Sequence, residues 1–163
     1  MTAAARLNLQ LAIADAAAVP APAEFSRWVN ATLPAARAPA LLPQCVTVRL
    51  VEAAESQRFN GCYRGIDQPT NVLAFPAGRS PVTLQPAEEQ ELGDLLICWP
   101  VVQAEATAQG KSCCAHLAHL TVHGTLHLLG YDHQNDADAA IMEGLEQRIM
   151  RDLEFANPYE ADT

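Results

Sequence analysis

All five histidines of the chain lie between positions 116 and 133, and three of them have the spacing of a metal site. His123 and His127 are four residues apart, so on a helix they differ by about 40° in azimuth and about 6 Å in rise. Two imidazoles placed in this way can bind one ion at about 2.0–2.1 Å. Gly130 ends the helix, and the next two residues turn the chain so that His133 can fold back as a third ligand.

Three imidazoles on one side of an ion leave its fourth tetrahedral position free, which is typical of a catalytic rather than a structural zinc site. The spacing therefore predicts one transition metal ion used for hydrolysis, with zinc preferred, although nickel, cobalt and copper also accept three imidazoles. Hydrogen-bonded core histidines and an adventitious site are the alternatives. For His116 and His119, a core or rim histidine is as good an explanation as a functional one, in which His119 orients a ligand or substrate.

The same helix argues against peptide hydrolysis. The pair His123 and His127 has the spacing of the H-E-x-x-H motif of metallopeptidases, in which the glutamate is the general base. Gly124 occupies the glutamate position here. A peptidase built on this helix would lack its proton shuttle.

The elements that must position these residues can be predicted from apolar periodicity. Strands are expected at 7–13, 46–50, 71–75 and 94–98, and loops at 34–43 and 77–92. Helices are expected near 25–33, 52–62, 100–110, 112–129 and 136–154. The helix at 112–129 is apolar nearly all round and should be the central, buried metal-binding helix. The last helix carries Ile141, Leu145, Ile149 and Leu153 at fourfold spacing. The pattern predicts a single α+β domain over 1–163.

Composition limits the possible functions. The net charge is −9 and Lys111 is the only lysine, which counts against nucleic-acid binding. A divalent cation and a few local arginines can nevertheless reverse the sign of one cleft. Five cysteines without a C-x-x-C pair argue against a disulfide framework and for a reducing compartment. No apolar run reaches the roughly 18 residues that a membrane span needs.

The run HGTLHLLGYDH at 123–133 resembles the signature H-G-x-L-H-L-x-G-Y-D-H of the YbeY family, bacterial metal-dependent endoribonucleases of rRNA maturation. The segments YRGIDQPTNVLAFP at 63–76 and GDLLIC at 93–98 agree with the same family, as does the C-terminal NPY. The resemblance covers nearly the whole chain. It implies a small α+β fold in which about four strands form a mixed sheet packed on helices.

The resemblance also implies a site and a role. His123, His127 and His133 take the positions of the family's zinc ligands, with one ion per chain, and Arg64 takes that of its functionally important arginine. The implied activity is that of a cytoplasmic hydrolase, an endonuclease for single-stranded RNA that processes the 3′ end of small-subunit rRNA and serves ribosome quality control. The implied partners are rRNA and the ribosome, or its small subunit with associated proteins; no membrane is implied.

The mechanism we expect combines a zinc-activated nucleophile, either hydroxide or the 2′-OH of the RNA, with Arg64 stabilising the phosphate charge. Arg58 is a further candidate for the same cleft. The alternative for Arg64 is a structural ion pair with Asp67. Asp132 and Asp94 could each face the site or simply hold backbone, and the sequence does not decide.

Two other functions stay open. The chain could be a ribosome-associated assembly factor whose metal is structural. It could also be a peptidase or small-molecule hydrolase, which Gly124 disfavours.

Overall fold

The sheet is built from apolar runs of two kinds, alternating in the first strand and nearly continuous in the strands buried on both faces. The computed structural model describes residues 5–36, 44–77 and 90–159, and these form four strands and five helices. Their order is β1 Arg6–Ala12, α1 Pro22–Ala35, β2 Gln44–Val51, α2 Ala53–Arg64, β3 Val72–Pro76, β4 Gln90–Cys98, α3 Trp99–Gln109, α4 Cys113–Leu128 and α5 Asp136–Asp152.

The four strands form one mixed sheet in the order β1-β2-β4-β3. β2 runs parallel to both neighbours, with Val48 opposite Leu9 on one side and opposite Leu95 on the other. β3 runs antiparallel to β4, and Phe75 lies opposite Asp94. β3 is thus an edge strand of the described sheet, on the side where α4 also packs against it.

Helices cover both faces of the sheet, which is why its central strands are so apolar. On one face, Val48 and Leu95 belong to a large core that also includes residues of α1, α4 and α5. On the other face, a smaller cluster around Leu73 and Leu96 packs against Phe59 of α2. The α+β fold class and the mixed four-stranded sheet expected from the sequence are therefore confirmed.

Helix α4 lies at the centre of the larger core. It contacts α1, α3, α5, β3 and β4, so nearly every side of it is covered. Leu117, Val122 and Leu126 are fully buried. The Oγ atom of Ser112 accepts a hydrogen bond of 3.0 Å from the backbone N–H of Ala115 and caps the first turn. The prediction of a central buried helix is confirmed.

The close contact between α4 and β4 requires a residue without a side chain at Gly124. A Cβ atom there would lie 2.7 Å from Cδ2 of Leu95 and 3.2 Å from its Cδ1. Leu95 is itself fully buried, so it cannot turn away without disturbing the core. The glycine thus determines how closely the histidine-bearing helix approaches the sheet.

Several predicted boundaries need correction. α2 continues past Gly61 to Arg64, and Gly65 ends it in the left-handed conformation with φ 69°. β4 begins at Gln90, so the end of the loop predicted at 77–92 is strand. α1 includes Pro34 and Ala35, which the sequence assigned to a loop. The other parts of the two predicted loops, 37–43 and 78–89, lie outside the described residues.

The buried face of α5 does not follow the fourfold apolar spacing seen in the sequence. Ile149 and Leu153 are buried, but Ile141 is 58% exposed. A spacing of four residues drifts by about 40° per turn, so a stripe of four such positions leaves the contact face. The residues of α5 that are buried are Met142, Glu146, Ile149 and Met150. The buried stripe of α5 therefore includes Glu146, which a pattern of apolar residues alone does not predict.

Among the described residues, no helix is both long enough and apolar enough to cross a membrane.

Candidate metal centre and its cleft

The first two histidines of the site come from one face of α4. The side chains of His123 and His127 lie one turn apart, and their Nε2 atoms are 3.1 Å from each other. The ring centroids are 4.6 Å apart. Both imidazoles therefore point to the same place, as their i,i+4 spacing predicted.

The third histidine is brought back by the turn that ends α4. Gly130 has φ 97°, a value that side-chain-bearing residues rarely adopt, and the N–H of Tyr131 bonds the carbonyl of Leu126 at 3.1 Å. The N–H of His133 then donates to Oδ1 of Asp132 at 2.7 Å. The His133 ring comes within 5.1 Å of the His127 ring, measured between centroids.

The three rings form a group that could hold a metal ion. One ring nitrogen from each of His123, His127 and His133 can be chosen so that all three lie within 4.8 Å of one another. Burial, followed by the neighbouring His123 and His133, lowers the pKa of His127, so this ring stays neutral below the usual histidine range. Metal binding requires neutral imidazole. The donor set therefore fits zinc, which prefers nitrogen ligands in this number for a catalytic site.

Glu146 of α5 is the main residue of the site that the sequence did not reveal. Its carboxylate is fully buried and accepts hydrogen bonds from Nδ1 of His123, from Nε2 of His119 at 3.3 Å and from the hydroxyl of Tyr159. Burial alone would raise the pKa of this carboxyl. The bonds from His119 and His123 outweigh burial and lower the pKa to about 2. Glu146 is therefore an anion beside the histidines.

Arg64 and the three histidines line one cleft of about 710 Å³. Arg64 is exposed at the C-terminal end of α2, and within the described parts of the chain it forms no ion pair or hydrogen bond. The alternative ion pair with Asp67 is not formed; Asp67 instead accepts from Gln57 at 2.9 Å. The guanidinium is thus available to a ligand in the cleft.

The other candidates fall into two groups. Asp132 lines the cleft, and its Oδ1 atom accepts a hydrogen bond from the N–H of His133, which stabilises the turn after α4. Asp94 is exposed on β4 and does not line the cleft. Arg58 is not among the described lining residues either; its guanidinium lies over the Phe59 ring, 5.7 Å from the centroid. The expectation that Arg58 contributes to the cleft is therefore not met.

The two remaining histidines differ in role. His116 is buried and its Nε2 lies 2.8 Å from Oε1 of Glu105, so the core explanation describes it well. The Glu105 carboxylate also accepts from Asn71 at 3.1 Å. His119 instead shares the carboxylate of Glu146 with His123. His119 is therefore part of the surroundings of the candidate metal centre.

A second cavity of about 690 Å³ adjoins the first, and Asn71, Val72 and His123 line both. Its other walls include Glu105, His119 and the C-terminal Tyr159. The candidate metal centre thus lies where two clefts meet.

Comparisons with known proteins agree with the geometry. Residues 13–154 match the family model described as Endoribonuclease YbeY. The Endoribonuclease YbeY of Alkalilimnicola ehrlichii is 49% identical over 156 residues, which cover 96% of this chain and 92% of that protein. The solution structure of TM1509 from Thermotoga maritima has a similar fold, with a TM-score of 0.53 at 19% identity, covering 94% of this chain and 99% of that one. The resemblance seen in the histidine motif is therefore confirmed, and the chain belongs to the YbeY endoribonuclease family.

Proposed function

We propose that this protein is a zinc-dependent endoribonuclease that cleaves single-stranded RNA, working as one hydrolase domain over residues 1–163. The observation that carries the proposal is that Arg64 lines the same cleft as His123, His127 and His133. These residues come from two distant parts of the sequence. Membership of a family named for endoribonuclease activity supports the same conclusion.

In this proposal the three histidines hold a single zinc ion through ring nitrogens. Neutral ligands leave the ion its full charge. When bound, zinc supplies Lewis acidity that polarises a phosphate oxygen and strengthens an attacking oxygen nucleophile, either water or the RNA 2′-OH. The lowered pKa of His127 keeps that ligand unprotonated at neutral pH. Asp132 holds the backbone of His133 so that its ring turns toward the other two.

Arg64 acts on the phosphate in this scheme. A guanidinium can donate two parallel hydrogen bonds to non-bridging oxygens, a geometry that an ammonium group cannot reproduce. Because Arg64 has no partner among the described residues, it can bind the phosphate without first breaking an internal contact. Its role is to stabilise the negative charge that grows in the transition state.

The charge of the cleft is compatible with RNA although the protein is acidic overall. Among the described lining residues, Asp132 is the one carboxylate and Arg64 the one permanently charged cation. A divalent ion would make the cleft net positive, while the overall charge of −9 lies elsewhere. The acidic surroundings would then limit non-specific binding of RNA.

We place the cellular substrate in rRNA, at the 3′ end of the small-subunit RNA, with ribosome quality control as the wider role. The family resemblance supports this assignment. The ribosome, or its small subunit with associated proteins, would be the partner and the cytoplasm the compartment. Five free cysteines agree with a reducing environment.

The decisive experiment follows cleavage of a labelled single-stranded oligoribonucleotide, with the matched duplex as the comparison. Wild-type protein should cleave the single strand, lose activity on chelation and recover it when zinc is added. His127→Ala should be inactive with its fold intact. His116→Gln, on the same helix but outside the three candidate ligands, is the matched control and should retain activity.

The same assay separates the assembly-factor alternative. A protein with a structural metal would show no zinc-restored cleavage, and its His127→Ala variant would still bind ribosomes. That pair of results would contradict the proposed enzyme. Turnover of a peptide or a small-molecule ester without RNA cleavage would favour the third alternative.

A further inference from the structure

Glu146 occupies an unusual position, because a fully buried carboxylate normally has a cationic partner. Its described hydrogen-bond donors are instead His119 and His123 of α4 and Tyr159 of the C-terminal segment. The carboxylate on α5 therefore joins α4 and the C-terminal segment through three side chains. One of these side chains, His123, is a candidate metal ligand.

The contact with Glu146 determines which nitrogen of His123 is available to a metal. Oε1 of Glu146 faces Nδ1 of His123, so a neutral imidazole carries its proton on Nδ1. The lone pair is then on Nε2, which faces Nε2 of His127 at 3.1 Å. Metal-bound histidines commonly have such a carboxylate on the second ring nitrogen, where it fixes the tautomer and the ring orientation.

The C-terminal segment is held against the same carboxylate by several contacts. The hydroxyl of Tyr159 donates to Oε2 of Glu146, and its ring packs edge-on against His119 with centroids 5.4 Å apart. The Nζ atom of Lys111 donates to the carbonyl of Pro158 at 3.1 Å. Tyr159 is thus the third donor to Glu146, and Lys111 holds the residue before it.

From these contacts we infer that Glu146 is the positioning residue of the metal centre and couples metal binding to the docking of the C-terminal residues 157–159. The inference rests on the metal site of the proposed function. Glu146 holds His123 in the ligating tautomer, and Tyr159 holds Glu146. Because linked equilibria are reciprocal, bound metal must then hold Tyr159 in place as strongly as Tyr159 favours the metal.

The first test measures zinc affinity by competition with a chromogenic chelator for wild type, Glu146→Gln, Tyr159→Phe and their double variant. Loss of the carboxylate should weaken zinc binding about 10- to 100-fold, as for other partners of metal-bound histidines. Tyr159→Phe should weaken it several-fold, and the double variant should be no weaker than Glu146→Gln. Glu143→Gln is the matched control, since Glu143 is an exposed carboxylate on the same helix.

A second measurement separates positioning from general stability. In metal-free wild type, ¹⁵N-histidine NMR should show the Nδ1–H tautomer for the neutral ring of His123, and Glu146→Gln should lose this preference. Zinc should also slow chymotryptic cleavage after Tyr159 in wild type but not in Glu146→Gln. A residue that only supported folding would change the unfolding midpoint and leave both readouts unchanged.

The outcomes are distinguishable. Wild type that binds no zinc contradicts the proposed metal site itself. Wild type that binds zinc, together with a folded Glu146→Gln of equal affinity, overturns only the positioning role. If Glu146→Gln does not fold, Tyr159→Phe decides, because it keeps the aromatic ring and removes only the hydroxyl that donates to Glu146. Unchanged zinc affinity in that variant, with no protection of Tyr159 by zinc in wild type, overturns the coupling.

Discussion

The Nε2 atoms of His123 and His127 lie 3.1 Å apart. A tetrahedral ion with bonds of about 2.0–2.1 Å holds neighbouring ligand atoms about 3.3 Å apart. The two rings therefore stand close to the separation that zinc needs, on a helix buried in the core. A site organised in this way would bind an ion without a large ordering cost.

Zinc content should depend on each of the three histidines. Purified wild type should contain one zinc ion per chain, and His127→Ala should bind zinc more than about 100-fold more weakly, because a direct ligand contributes more than its hydrogen-bond partners do. Elemental analysis and competition titration measure the two quantities. His116→Gln should keep full zinc content. A His127→Ala protein that still binds one tight zinc ion would place the ion elsewhere.

Substitution of Arg64 should reduce cleavage without reducing stability. Arg64→Ala is expected to lower kcat about 100- to 1000-fold, as when one transition-state donor is lost. Arg64→Lys should recover little, since lysine lacks the planar pair of donors. Because the side chain is exposed and unpartnered among the described residues, the free energy of unfolding should change by less than about 0.5 kcal/mol. Arg58→Ala, whose guanidinium packs on Phe59, should cleave normally. Equal activity of the two alanine variants would remove Arg64 from the mechanism.

The metal-free protein should lose stability in acid partly through Glu146. Its pKa is about 2 in the folded protein against 4.5 for the free group, so the unfolded chain binds a proton more readily. This contribution is therefore complete above pH 4.5 and is lost as the pH falls toward 2. At its full size this contribution is about 3 kcal/mol of unfolding free energy, because one pKa unit corresponds to about 1.36 kcal/mol.

Urea unfolding at a series of pH values measures this contribution. Glu146→Gln should be less stable at neutral pH and should show a smaller decrease in stability between pH 4.5 and pH 2. Glu143→Gln should follow the wild-type pH dependence. Parallel curves for wild type and Glu146→Gln would show that folding does not lower the pKa of this carboxyl.

Replacing two helical glycines by alanine should change the free energy of unfolding in opposite directions. In Gly124→Ala the new methyl group would meet Leu95 at 2.7 Å, and overpacking of this kind costs about 1–3 kcal/mol. Gly144 of α5 has no atom within 4 Å of the added position, so Gly144→Ala should stabilise by about 0.4–1 kcal/mol. Urea unfolding of both variants measures the two changes in the free energy of unfolding. A neutral Gly124→Ala would mean that Leu95 repacks freely.

The histidine site could be predicted because its geometry is local. His123 and His127 share one helix, and His133 follows after a single turn, so spacing alone implies that they converge. Glu146 could not be found in this way, because it meets His123 across two helices, 23 residues later in the chain. The available signal was a glutamate flanked in α5 by buried Met142, Ile149 and Met150.

The order of the strands in the sheet could not be predicted from the sequence either. Periodicity identified the strands, including β2 around Val48, but it carries no information on their order. Arg64 lies 59 positions before His123, and nothing in its own segment indicates that the two line one cleft. Only the family resemblance pointed to it. Long-range pairing depends on how α4 packs between the sheet and the other helices, and that is a property of the whole core.

The absence of a Cβ atom at Gly124 has a consequence for the evolution of this scaffold. Conversion to a metallopeptidase helix requires a glutamate at this position, between His123 and His127. Even the smallest step toward it meets the buried Leu95. A glutamate at position 124 would therefore overpack the core unless Leu95 moved or was replaced by a smaller residue. The packing of Leu95 against α4 thus opposes the one exchange that a metallopeptidase helix would need at this position.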